Sequence, residues 1–224
     1  MYGSEDPYKK LRDEVNSKVL SIANRLQDLI ANKGLEVVAC ANAIDIPCSW
    51  FTFDVNDYLR KLVYGCSTIV DDRAYQAIEV SKSIAIVVDN TGEIVVDILF
   101  ARELASRRKD VYVVCRSLPY EVDAICNEVK GLAEAVGAKD INIVETGSRY
   151  PVFAYDRVSR LAIDVIESVD LVISKGIANY EAAMEYHIVE HRPILFALCA
   201  KCVPIARALG VVKGMAVAKV FNYG

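Results

Sequence analysis

The chain has 224 residues, 54% hydrophobic and 25% charged, with a net charge of −4 at pH 7. This excludes a disordered polypeptide, and the apolar runs are too short and too interrupted to span a bilayer. No long basic run provides the electrostatic footprint that sequence-tolerant nucleic-acid binding needs, so a small polar or anionic ligand is expected, with no nucleic acid and no membrane as partner. Seven cysteines are scattered through apolar segments. Their odd total, without a signal peptide, points to reduced thiols in a cytoplasm, hyperthermophile cytosols being the exception.

Leu11, Val15, Val19, Ile22, Leu26 and Leu29 share one helical face, and Asp6-Pro7 supplies a start, which predicts a helix over 6–31. Shorter helical patterns follow over 35–43, 56–63 and 72–81, with the aromatic segment Pro47-Cys-Ser-Trp-Phe-Thr-Phe53 between the first two. Residues 1–82 therefore read as an all-helical cap region. From Ile84 the pattern switches to alternation. Strands are predicted at 84–89, 111–115, 141–144, 170–174, 194–199 and 215–221, and helices at 93–106, 121–136, 155–168, 180–188 and 203–209. Such alternation over 83–224 predicts an α/β domain whose parallel, doubly wound sheet is covered on both faces.

In sheets of this kind the carboxyl ends of the strands form the binding crevice. The run Ile84-Ala-Ile-Val-Val-Asp-Asn-Thr-Gly-Glu93 stops there at two oxygen-bearing side chains, Asp89 and Asn90. Arg116 with Asp123, Glu145-Thr-Gly147, and Ser174-Lys-Gly176 with Asn179 fall at the ends of neighbouring strands. Carboxylate and amide oxygens are hard ligands suited to Mg²⁺ or Mn²⁺, and a lysine beside them suits a phosphate. A metal held by Asp89, Asn90 and Asp123, with Lys175 on the phosphate oxygens, would let a coordinated water attack without a covalent intermediate.

Each element also has a plainer reading. Asp-Asn-Thr-Gly is an ordinary turn with helix capping, Asp123 a solvated first-turn carboxylate, and Lys175-Gly176 loop punctuation. His187 and His191 read as a helix end before Pro193, and Cys199-Ala-Lys-Cys202 as buried thiols, since no second Cys pair matches them. Convergence of the polar groups on one rim is what favours a site. The absence of G-x-G-x-x-G after the first strand, of a P-loop and of G-x-S-x-G argues against dinucleotide, nucleotide and serine-hydrolase chemistry. Thr91 stands where an aspartyl-phosphate enzyme would place its second aspartate, which disfavours that mechanism.

Val88-Asp-Asn-Thr-Gly-Glu93 with Asp97, Ile173-Ser-Lys-Gly-Ile-Ala-Asn-Tyr-Glu181 and Ala200-Lys-Cys202 resemble the signature blocks of the DUF89 family of metal-dependent damage-control phosphatases. Ala41-Asn-Ala-Ile-Asp45 is similar to its Gly-Asn-x-Ile-Asp element. The resemblance implies a three-layer αβα domain with a helical N-terminal portion, and a divalent cofactor (Mn, Co, Ni or Mg). It further implies hydrolysis of small phosphorylated metabolites such as sugar phosphates or phosphopantetheine-type compounds. On that basis Asp89, Asn90 and Asp123 are the expected metal ligands and Lys175 the phosphate contact. Asn42, Asp45, Glu93, Asn179 and Lys201 are the expected pocket residues. Two departures stand out. Val122-Asp-Ala-Ile125 replaces the family's Asn-Asp-Ala-Thr, losing two polar neighbours of the third ligand, and the chain starts close to Asp6-Pro7 where relatives carry a longer helical segment. Part of the usual cap is then absent or supplied by another subunit of a homo-oligomer. Alternative functions are an S-adenosylmethionine-dependent carboxyl methyltransferase, also attributed to eukaryotic relatives, and a metal- or phosphate-binding module without catalysis.

Overall fold

The computed structural model describes residues 6–43 and 55–222. Within them a seven-stranded sheet has the order β1-β7-β6-β5-β2-β3-β4. Its strands are β1 (Thr68–Val70), β2 (Ser83–Val87), β3 (Asp110–Cys115), β4 (Ile141–Glu145), β5 (Leu171–Lys175), β6 (Ile194–Cys199) and β7 (Ala216–Phe221). All adjacent pairs are parallel except β6 with β7. The chain runs from β2 outward through β3 and β4, then crosses to the other side of β2 for β5 and β6. The reversal places a crevice between the carboxyl ends of β2 and β5.

Helices α1 (Lys9–Leu20), α2 (Ala23–Ala41), α3 (Val55–Tyr64), α4 (Asp72–Val80), α5 (Glu93–Ser106), α6 (Cys126–Ala135), α7 (Arg160–Ser168), α8 (Ile177–Glu185) and α9 (Val203–Leu209) cover the sheet. This is the three-layer αβα architecture. Alternate residues of β2 divide between its faces: Ile84 and Ile86 join one core with α1, α2 and α5, while Ala85 and Val87 join the other with α7, α8 and α9. The nearly continuous apolar run of a central parallel strand has this cause. Helix α5 is buried on almost every side from Glu93 to Ala101, because α2 packs over the face it turns away from the sheet.

Four expectations change. The helix predicted over 6–31 is two helices broken at Ser21–Ile22, and the second runs on to Ala41 through a kink at Lys33 (φ −139°, ψ 40°). The N-terminal eighty residues are not all helical, since β1 lies among them and pairs in parallel with β7. The helix expected from 121 begins at Cys126, leaving 116–125 as an irregular connection. Nor are all thiols reduced: Cys40–Cys66 and Cys115–Cys126 are disulfides, their Cα atoms 5.8 and 5.2 Å apart, inside the span such a bond requires. Cys199 is buried and reduced, as expected of a packed thiol, and Cys202 is half-buried. Among the described residues no helix is long and apolar enough to cross a membrane.

Candidate active site

Asp89 and Asn90 follow β2 at its carboxyl end, directly at the crevice. Asn90 faces Asp123 across an isolated antiparallel bridge, and the Ala124 N–H donates to the Asp89 carbonyl at 2.8 Å. The irregular connection after β3 is thereby laid against the end of β2. Thus the structure brings Asp89, Asn90 and Asp123 together from two strand ends. The turn into α5 is held by the Gly92 N–H, which donates to the Asn16 side-chain oxygen at 2.7 Å.

A buried polar network lies beneath. The Asn42 amide donates to Asp89 Oδ2 (3.0 Å) and to both Glu93 carboxylate oxygens (2.9 and 3.1 Å), while its own oxygen accepts the Cys199 N–H at 3.0 Å. One amide from the end of α2 therefore ties α5 to the end of β6. The Asn90 side-chain amide donates to Asp89 Oδ2 at 2.6 Å, and its backbone N–H donates to Glu93 Oε1 at 2.8 Å. Asn179, also buried, donates to the Val88 and Lys175 carbonyls and accepts the Val152 N–H, so it fixes backbone near the crevice.

Lys175 is placed differently from the expected phosphate contact. Its ammonium is fully buried and donates to the Val38 carbonyl (2.9 Å), Glu93 Oε2 (2.8 Å) and Asp97 Oδ1 (3.0 Å). Three donors meet three protein acceptors, and no ammonium proton is left to turn toward a ligand. The reason is the strand pleat: β5 sends Lys175 under α5, where Glu93 and Asp97, one helical turn apart, present two carboxylates. That i, i+4 pair in the otherwise apolar stretch Glu93–Ala101 of α5 is the sequence signal for the ion cluster. Arg116 is a further cation at the rim. It forms a buried ion pair with Asp123 at 2.5 Å, donates to the Arg149 carbonyl and stacks over the Tyr120 ring. Asp45 and the Pro47–Phe53 segment lie outside the described residues.

Burial pushes the Asp89 carboxyl up to about 7, and the charges of Glu93 and Asp123 act in the same direction. Asp123 is raised to about 6, again by burial first, with Arg116 opposing. Burial also raises Asp97 to about 7 against the pull of Lys175. Burial would raise Glu93 too, but Lys175, Lys201 and the Asn90 N–H outweigh it and hold this carboxyl below its usual value. Four carboxylates thus face three cations, Lys175, Arg116 and the half-buried Lys201, whose charge acts on Asp89, Glu93 and Asp123. This donor set and its surplus of negative charge fit a hard divalent cation. Among the described residues no three His, Cys, Asp or Glu side chains gather as a metal cluster; the set here is two aspartates and an amide.

Gly176 closes the crevice from the other side. A Cβ there would lie 1.9 Å from Asp89 Oδ2, and its backbone (φ 79°, ψ 163°) occupies a region open essentially to glycine alone. Gly176→Ala is expected to cost about 1–3 kcal/mol from the backbone and to displace Asp89 as well. Thermal denaturation and a Mn²⁺ titration measure the two effects; an unchanged melting temperature would show that no such contact exists.

The model of the damage-control phosphatase ARMT1-like domain matches residues 1–217. The chain belongs to this family. A damage-control phosphatase of Archaeoglobus fulgidus is 27% identical to it over 97% of this chain and 77% of that protein. Another, from Pyrococcus horikoshii, is 27% identical over 95% and 74%. The crystal structure of a DUF89 family protein from P. horikoshii superposes with a TM-score of 0.74 at 23% identity, covering 97% of this chain and 76% of that one. That likeness establishes the fold that the damage-control phosphatase domain adopts here.

Proposed function

We propose that this protein is a divalent-metal-dependent phosphatase acting on small phosphorylated metabolites. The observation that carries the reading is the juxtaposition of Asp89, Asn90 and Asp123 at the β2/β5 crevice, with more carboxylate than cationic charge around them. The printed names of the Archaeoglobus and Pyrococcus relatives support the phosphatase class. Asp89, Asn90 and Asp123 would hold Mn²⁺, Co²⁺, Ni²⁺ or Mg²⁺, which when bound acidifies water and neutralises phosphate charge. Asn42 orients Asp89, and Lys175 keeps Glu93 ionised so that Glu93 in turn fixes the Asn90 backbone. Lys201 supplies positive potential that draws a phosphate dianion to the rim. Sugar phosphates and phosphopantetheine-type compounds are the substrate classes to test.

Phosphate release from p-nitrophenyl phosphate and a sugar-phosphate panel is expected with added metal and not in chelator; chelator-insensitive turnover would sink the proposal. Protons compete with a metal for Asp89, whose carboxyl binds them up to about pH 7. The Mn²⁺ dissociation constant measured by calorimetry is therefore expected to rise as pH falls below 7, by up to about tenfold per unit for one coupled proton. A constant that stays flat from pH 8 to pH 6 would remove Asp89 from the ligand set.

A further inference from the structure

Asp123 and Arg116 both sit on the irregular connection 116–125, and this segment begins and ends at cysteines. Cys115 is the last residue of β3 and Cys126 the first of α6, and the two are joined as a disulfide. The backbone closes at the same place: the Cys126 N–H donates to the Arg116 carbonyl at 2.9 Å, and Arg116 bridges Ile125 in parallel. Val122 and Ile125, which flank Asp123, offer no side-chain hydrogen bond with which to hold it. At Asp123 itself the holding contacts are the Thr91 N–H to the Val122 carbonyl (2.9 Å), the Asp123 N–H to the Tyr120 carbonyl (3.0 Å), the contact of Ala124 with Asp89 and the Arg116 ion pair. Farther along the connection, Arg12 donates to the Glu121 carbonyl (3.0 Å) and the Ser117 N–H to the Ser148 carbonyl (2.9 Å), so the part around Asp123 is the one that leans on its two ends staying together.

We propose that the Cys115–Cys126 disulfide is a redox-sensitive staple that fixes Asp123 and Arg116 at the rim, making cation binding there depend on the thiol–disulfide state. The inference rests on the metal site proposed above. Reduction by a dithiol proceeds by thiolate attack on one sulfur, giving a mixed disulfide and releasing the other cysteine as thiolate. The reagent's second thiolate then displaces the first cysteine, so the reagent leaves oxidised and the protein gains two electrons and two protons. Both cysteines are buried, at 2% exposure each, so the reagent enters only when the connection opens locally, and the exchange is slow. Once reduced, the connection gains freedom that the cross-link had removed. The Asp123 carboxylate then spends part of its time away from Asp89 and Asn90.

The test compares the intact protein before and after long incubation with dithiothreitol, with thiols counted by mass spectrometry after alkylation. Reduction is expected to raise the Mn²⁺ dissociation constant about tenfold, the lower end for lost supporting contacts around a metal, and to speed hydrogen exchange across 116–126. A Cys115→Ala/Cys126→Ala protein, which keeps the Cys40–Cys66 disulfide, should bind as weakly as the reduced form and lose no further affinity in the reagent. Should that variant fail to fold, reduction of a Cys40→Ala/Cys66→Ala protein, in which Cys115–Cys126 is the remaining described disulfide, still gives both readouts. Equal affinity and equal exchange in the two states would overturn the staple alone. No Mn²⁺ binding in either state would overturn the metal site and the staple with it. Native protein that already carries free thiols at 115 and 126 would overturn the staple before any metal is added.

Discussion

Asp89→Asn is expected to abolish metal-dependent phosphate release while raising the melting temperature of the metal-free protein. The two effects have opposite signs because they come from one property of the site. Asp89 is 7% exposed and is pushed up to about 7, so at pH 8 the folded chain holds a carboxylate that would rather be protonated or in water. Asparagine keeps an oxygen to accept from Asn42 and Asn90 but carries no charge. At pH 8 the variant avoids an ionisation that costs about 1.4 kcal/mol for each unit by which folding raises the pKa. For a chain of this size that is roughly 2–4 °C per kcal/mol. The difference narrows as pH falls from 7 and closes only below about pH 4, where the residue is protonated in the folded and unfolded chain alike. Loss of the charged ligand should lower turnover by roughly 10² to 10³ or more, since both cation binding and charge stabilisation at the reacting phosphate depend on it. Turnover within a few-fold of wild type would move the chemistry away from Asp89.

Lys175→Met should destabilise the fold by about 3–5 kcal/mol, the usual result of removing one partner from a buried ion cluster. With native stabilities of about 5–15 kcal/mol, much of the margin is gone. The variant leaves Glu93 and Asp97 facing each other in a site with no water exposure. Asp97→Asn makes the contrast. It leaves the Lys175–Glu93 pair intact and removes a carboxyl whose Oδ2 has no hydrogen-bond partner. Folding raises Asp97 to about 7, so between about pH 4 and 7 the native state binds the extra proton and stability falls as pH rises. Asp97→Asn is expected to flatten that slope. Urea denaturation at pH 5 and pH 8 measures both variants. If Lys175→Met unfolded at the wild-type urea concentration and only raised KM, the lysine would be facing substrate and not the cluster.

The parallel sheet was legible because buried central strands leave apolar runs, and the crevice because those runs end in oxygen-bearing side chains. Asp89 and Asn90 declare themselves in this way, and Asp123 sits beside them in the structure. Lys175 was visible as a residue of the site but not in its direction, since a one-residue shift along a strand reverses the face a side chain points to. Asn16 gave no local sign at all: it lies on α1 and reaches Gly92 across 76 positions. Strand β1 was hidden because three residues of half-buried pattern are too few to read as a strand, and only β7 gives it a partner. The disulfides were masked by an odd cysteine count that suggested reduced thiols, and by partners that only the fold brings together.

The pairing of β1 with β7 also governs the order in which the molecule can be assembled. Thr68–Val70 has its hydrogen-bonding partners at Ala216–Ala218, and Asn42 its oxygen's partner at Cys199. During synthesis the N-terminal helices emerge long before either partner exists. Loop closure over such separations is slow, and the helices must wait with one apolar face uncovered. Among the described residues β7, the strand farthest along the chain, is therefore also the one that joins β1 to the rest of the sheet.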